Sequence, residues 1–172
     1  MLQRAIDSVL TQTYPAIAIS IAVDHERKGA AVNRNRALCA ASTEWVAFLD
    51  DDDEMYPEHL QTLVEHQIAT DADVVFPWFD TSSGADPFPQ FEGRQYDYAE
   101  PHMFPITTLV RRQFTFLVGG FPYDHTSKEC AGEDWQFWLK IRDAGAKFAH
   151  VNARTWLWNH HGENTSGLPS RW

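Results

Sequence analysis

Leu2, Ala5, Ile6, Val9 and Leu10 recur at three- and four-residue spacing, so the chain opens on an amphipathic helix that "TYP" (13–15) closes. Ile17, Ile19, Ile21 and Val23 then alternate with small or polar residues, as in a strand that ends at Asp24. After Gly29 the alanine-rich "AAVNRNRALCAAS" predicts a second helix, and "WVAFL" (45–49), a continuous apolar run, predicts a strand covered on both faces. Pro57 stands where a first helical turn starts, and Leu60, Leu63, Val64 and Ile68 mark the buried stripe of a third helix. "ADVVFPWF" (72–79) predicts a further strand. Helix and strand thus alternate through the first half, which predicts an α/β domain with a largely parallel sheet. Ligands of such sheets bind beyond the carboxyl ends of the strands, where Asp24 and the acidic run after "WVAFL" both fall.

The second half is less regular. Residues 80–105 are rich in Pro, Gly, Asp and aromatics and predict a long substrate-facing loop. "TTLVRRQFTFLVGGF" reads as a strand and a short helix closed by Gly119 and Gly120. "GEDWQFWLKIRDAG" starts a helix at its acidic end, and "KFAHV" and "TWLWNH" read as two closing strands. His59 and His66, seven residues apart on a helix, are expected at the surface, and Cys39 in the core.

At 172 residues and 44% hydrophobic composition, the chain is long enough for one domain with a single core. Fourteen basic against 24 acidic residues give a net charge of −10, which argues against non-specific binding to nucleic acid or anionic membrane. The one locally basic stretch is "HERKGAAVNRNR". Two cysteines make no disulfide framework, and no apolar run is long enough to span a bilayer. The expectation is a cytoplasmic protein.

The chemistry is concentrated in "FLDDDDEMYP" (48–57), where Asp50, Asp51, Asp52, Asp53 and Glu54 repel one another with no Lys or Arg beside them. A solvated acidic loop is the simple reading. A hard divalent cation with oxygen ligands would relieve the repulsion. An EF-hand is excluded, because counting from Asp50 the sixth and twelfth positions are Met55 and Gln61, where Gly and Glu are needed. An aspartate-nucleophile phosphohydrolase acting through Asp50 would want Thr or Val where Glu54 stands. A cation shared with the phosphates of a substrate remains.

"GAAVNRNRALCAASTEWVAFLDDDDEMYPEHL", with "RAIDSVLTQTYP" before it and "VGGFP" and "GEDWQFWLK" after it, resembles glycosyltransferase family 2, the inverting enzymes of the GT-A fold. The resemblance runs over nearly the whole chain. It implies a Rossmann-like mixed, mainly parallel sheet with flanking helices in one domain, 1–172. Residues 1–79 would form the nucleotide- and metal-binding half, and 80–172 the acceptor and catalytic half.

The implied activity is transfer of a sugar from a nucleoside diphosphate sugar to a hydroxyl on a glycan, lipid, protein or modified nucleic-acid base, with Mn²⁺ or Mg²⁺. By the same resemblance Asp50 and Asp52 belong to the Asp-x-Asp metal motif, joined by a histidine of the "NHHG" stretch, His161 or its neighbour His160. Asp24, Arg34, Asn35 and Asp51 serve the nucleotide and its diphosphate, with bracing of the aspartates as the other role implied for Arg34. Asp134 is the general base, with Glu133 helping to position the acceptor. Carboxylates also favour a helix start for electrostatic reasons alone, and Asp24 also suits a turn. Family members begin with an apolar strand that this resemblance does not include, so the sheet is expected to be truncated at that point. An inactive nucleotide- or sugar-binding remnant is the alternative. Trp78, Phe79, Trp156 and Trp158 are candidates for a sugar-stacking face, while Trp135 and Trp138 are expected in the core.

Overall fold

In the computed structural model, which describes residues 1–15, 18–84, 105–122 and 132–161, the apolar periodicities become helices α1 (Leu2–Leu10), α2 (Ala30–Ala40) and α3 (His59–Thr70). Strand β1 (Trp45–Ala47) follows α2, and a two-residue strand β2 (Glu54–Met55) follows the acidic loop. Strand β3 (Val74–Thr81), β4 (Leu109–Arg111), α4 (Arg112–Leu117), α5 (Glu133–Asp143) and β5 (Phe148–Trp158) complete the order. The long loop predicted at 80–105 lies, over 85–104, outside the described residues.

The sheet order is β1-β4-β3-β5-β2. β3 and β5 pair in parallel, whereas β4 inserts antiparallel between β1 and β3, and β2 pairs antiparallel with β5. β1, β3 and β5 therefore share one direction, as helix–strand alternation requires, and β4 and β2 oppose it. The carboxyl ends of β1, β3 and β5 consequently face the same side, and the acidic loop leaves β1 there.

Helices cover both faces. Leu38, Phe48, Phe76, Phe121, Phe137, Trp138 and Ile141 form the core beneath α2 and α5. Leu63, Val75 and Leu109 form a smaller one beneath α3. The helix α1 is stitched to the exit of the acidic loop: Ser8 Oγ accepts the Met55 N–H at 3.1 Å, and Gln12 Nε2 donates to the Tyr56 carbonyl at 2.7 Å. Gln12 Oε1 also accepts the Leu60 N–H at 2.9 Å, satisfying a first-turn donor of α3 that Glu58 leaves uncapped.

Several expectations are corrected. Residues 18–23 form no strand: Ile19, Ile21 and Val23 are exposed, and no strand lies beside them among the described residues to accept their backbone groups. "KFAHV" and "TWLWNH" are one continuous strand, since Asn152–Arg154 bulge against β3 without leaving the ladder. Ile68 is 72% exposed, because α3 meets the sheet through Leu60 and Leu63. His59 is fully buried, its Nδ1 2.7 Å from Thr155 Oγ1, and burial lowers its pKa to about 3. Cys39 is exposed. Trp78, Phe79, Trp156 and Trp158 are buried with Trp135 and Trp138, so they are core and not an open stacking face. No helix among the described residues is long and apolar enough to cross a membrane.

Candidate active site

Arg34 organises the site. It lies one turn into α2, with a side chain only 13% exposed. Its Nε and Nη2 donate to Asp50 Oδ1 at 3.2 and 3.0 Å, and Nη2 also reaches Asp50 Oδ2 at 2.7 Å. Its Nη1 donates to Glu133 Oε1 at 2.8 Å. One guanidinium thus ties the loop after β1 to the first turn of α5, segments far apart along the chain. Burial works against the charge on Arg34, but Asp50, with Asp134 and Glu133 near by, holds its pKa above the ordinary arginine value. No Lys or Arg neighbours the aspartates in sequence; the fold supplies one.

Asn35 clamps the neighbouring turn. Its Nδ2 donates to the Phe121 carbonyl at 2.9 Å and its Oδ1 accepts the Phe121 N–H at 2.8 Å. Gly120 adopts φ +75°, and a Cβ there would stand 2.3 Å from Asn35 Oδ1, so only glycine lets the two segments meet. The side chain expected to serve the nucleotide therefore spends its amide on backbone, bracing α2 against the "VGGFP" turn that leads toward α5.

The acidic loop is a tight turn in which the Asp53 N–H donates to the Asp50 carbonyl at 3.2 Å. Asp50 was expected to be a metal ligand, but both its oxygens are engaged by Arg34. Asp51 is exposed at the turn. Asp52 Oδ2 lies 3.0 Å from His161 Nε2, so His161 is the member of the pair that meets this aspartate. His160 turns away, its ring against Trp158 and its N–H donating to Ser82 Oγ at 2.8 Å. Among the described residues no three His, Cys, Asp or Glu side chains are already gathered as a ligand set. Asp52 offers a hard carboxylate oxygen of the kind that suits Mn²⁺ or Mg²⁺, with the His161 imidazole beside it, and substrate phosphates would complete the shell.

Asp53, only 2% exposed, is the loop's inward residue. Its burial, with Asp50 and Asp52 adding to the effect, pushes its pKa up to about 8, although the Asn159 N–H at 2.9 Å pulls the other way. The folded state thus favours the protonated form. That contribution to stability is complete below about pH 4, the unfolded carboxyl range, and is lost as pH rises to about 8. In EDTA the denaturation midpoint is expected to fall between pH 5 and pH 8, and Asp53→Asn, which keeps an oxygen for the Asn159 N–H, to flatten that slope. An unchanged slope in chemical denaturation would remove Asp53 as its source.

Asp134 opens α5. Its Oδ1 accepts the Trp135 N–H at 2.7 Å, and a Cβ on Gly132 would stand 2.8 Å from that oxygen, so the glycine leaves room for the folded-back carboxylate. Burial raises its pKa; Arg34 opposes the rise, and Glu133 adds to it. Burial therefore makes the Asp134 carboxylate more basic than a solvated one, and the Arg34 charge tempers that effect. Asp24 sits apart. Its two oxygens accept the Lys28 and Gly29 N–H groups at 2.8 Å each, which lowers its pKa. It caps the exposed turn that precedes α2, and α2 is the physical link from Asp24 to Arg34.

Sequence reasoning missed Asn159, whose side chain holds two loop residues, and Arg4, which pairs with Glu54 at 3.2 Å. The only signal was the position of Asn159 before the histidine pair.

A five-stranded mixed sheet under helices, with an acidic loop and an acidic helix start tied by one arginine, defines a nucleotide-sugar-transferase type of architecture. Residues 19–122, more than half of the chain, match the family described as glycosyl transferase family 2, and the chain belongs to that family. A curated relative, the uncharacterized glycosyltransferase YibD of Escherichia coli, is 33% identical over an alignment covering 42% of this chain and 28% of its own. Among solved structures, TarS 1-349 of S. aureus with UDP superposes with a TM-score of 0.74 at 15% identity, over 92% of this chain and 56% of that one. Its complex with UDP-GlcNAc gives 0.73 at 14%, over 97% and 58%. The mannosyltransferase PcManGT of Pyrobaculum calidifontis, solved with GDP-Man and Mn²⁺, gives 0.69 at 16%, over 91% and 52%. The chain spans little more than half the length of these solved structures and about a quarter of the curated relative. At such identities the structural likeness establishes the fold, which is GT-A.

Proposed function

We propose that this chain transfers a glycosyl group from a nucleoside diphosphate sugar to an acceptor hydroxyl, with inversion at the anomeric carbon and with Mn²⁺ or Mg²⁺. One observation carries the reading: the Arg34 guanidinium spans Asp50 and Glu133, so the acidic loop and the candidate base belong to one site. Asp52 and His161 are the cation's protein ligands, and Asp50 anchors Arg34. When bound, the cation offsets charge on the departing nucleoside diphosphate. Asp134 takes the proton of the acceptor hydroxyl as it attacks the anomeric carbon, and Glu133 orients that hydroxyl. Asp24, exposed and still able to accept hydrogen bonds, receives the nucleobase of the donor, with Asp51 at the mouth of the loop; Asn35 holds the frame. The UDP, UDP-GlcNAc and GDP-Man complexes of the structural neighbours support a nucleoside diphosphate sugar as donor.

The phosphohydrolase alternative is disfavoured by Arg34, which occupies both oxygens of the carboxylate that would attack phosphorus. The remnant alternative differs in turnover alone: it binds without transferring. A thermal-shift screen of nucleoside diphosphates and their sugars, with and without Mn²⁺, tests the reading. Stabilisation grows as RT ln(1 + [L]/Kd), about 2.7 kcal/mol at a hundredfold excess over Kd. A matching nucleotide is expected to raise the midpoint with Mn²⁺ by more than either does alone. Absence of any cation-coupled shift across the panel would count against the site.

A further inference from the structure

We infer that Asn159 is a positioning residue that sets the acidic loop in register with His161. The inference rests on the reading of Asp52 and His161 as cation ligands, and it concerns how that pair is assembled. The short β2 pairs with β5 so that Glu54 faces Leu157 and Met55 faces Trp156. Continued by two residues, this register sets Asn159 opposite Asp52. There Asn159 touches three consecutive loop residues. Its N–H donates to Asp53 Oδ1 at 2.9 Å, and its Nδ2 donates to the Asp52 carbonyl at 2.7 Å and to Glu54 Oε1 at 3.2 Å.

The Asp52 backbone is thereby fixed to the strand end that carries His161 two residues further on. Its Oδ2 meets His161 Nε2 at 3.0 Å. The chemistry of the residue matters as much as its place. A Lys or Arg here would knit the loop by cancelling its charge and would compete with a cation. A neutral amide supplies donors and leaves the carboxylate charge in place. Groups that orient metal ligands from behind typically contribute 10–100-fold to metal affinity.

The test is a Mn²⁺ titration of the 172-residue chain, reading free Mn²⁺ by electron paramagnetic resonance, together with the thermal midpoint in EDTA. Asn159→Ala is expected to weaken Mn²⁺ binding by about 10–100-fold. In a His161→Ala background, where there is no longer a pair to align, the same substitution is expected to cost less than about threefold, the non-additivity of residues that act as one unit. Asn159→Ser, which keeps the backbone N–H and a short donor, is expected to fold and to bind with intermediate affinity. If the wild-type chain binds Mn²⁺ and Asn159→Ala binds equally well while its metal-free midpoint falls, Asn159 is only a structural brace and the inference is overturned. Effects that multiply independently in the double variant overturn it as well. Failure of the wild-type chain itself to bind Mn²⁺, both alone and with a nucleoside diphosphate present, would instead remove the underlying metal reading, and the inference with it.

Discussion

Asp134→Asn is expected to leave nucleotide binding intact and to cut glycosyl transfer by about 10²–10⁴-fold, the contribution of a positioned general base. The substitution is isosteric. Its amide oxygen still accepts the Trp135 N–H, and Gly132 still leaves space for it, so the start of α5 keeps its shape. The lone pair that receives the acceptor's proton is what disappears. Arg34 loses a distant partner but keeps Asp50 and Glu133, so the acidic loop remains braced. Release of nucleoside diphosphate, with a sugar acceptor or with water as a slow one, measures the effect alongside the thermal shift. Wild-type turnover in the variant would assign the base elsewhere. Loss of the nucleotide-induced shift would make Asp134 a binding residue instead.

Arg34→Gln is expected to act on both stability and pH dependence. Removing one member of a buried ion pair costs about 3–5 kcal/mol when the partner is left desolvated. Asp50 and Glu133 are 34% and 36% exposed, so water takes up part of their charge and about 2–3 kcal/mol is the appropriate scale. The pH effect has a definite sign. Burial raises the pKa of Asp134 and the Arg34 charge lowers it; without that charge only the Trp135 N–H opposes the rise, which becomes larger. A base must be ionised to act, so the acidic limb of kcat/KM is expected to move to higher pH in the variant, with activity recovering as pH increases. Arg34→Lys keeps a charge but cannot span Asp50 and Glu133 with one planar fork, so it is expected to preserve the limb better than the stability. An acidic limb that stays in place in Arg34→Gln would separate Arg34 from the base.

The division between what the sequence revealed and what it concealed follows the range of the interactions. α2, α5, β3 and the acidic loop were legible because their signals are local: an apolar period, a glycine at a helix end, carboxylates in a first turn. Gly29 and Gly145 bound helices where expected, both at positive φ. Asp50, Asp52, Arg34, Glu133, Asp134 and His161 were all named from motifs, and the fold ties or neighbours most of them through Arg34 and Asp52. What failed depended on partners far along the chain. Ile19, Ile21 and Val23 have strand periodicity, yet a strand exists only where another can pair with it. His59 has the sequence context of a surface residue and is buried because Thr155, 96 positions away, meets its ring. Asn35 and Asn159 carry ordinary polar side chains whose roles come entirely from Phe121 and from the acidic loop. No local pattern distinguishes an asparagine that clamps a distant turn from one in solvent.

The most direct test of the central claim is calorimetric titration of the nucleoside diphosphate selected by the thermal screen, in Mn²⁺ and in EDTA, on the wild-type chain and on Asp52→Asn. Affinity that requires Mn²⁺ in the wild type and loses that requirement together with most of its strength in the variant is the expected result. Equal affinity in Mn²⁺ and EDTA, or an Asp52→Asn chain that binds like the wild type, would contradict it.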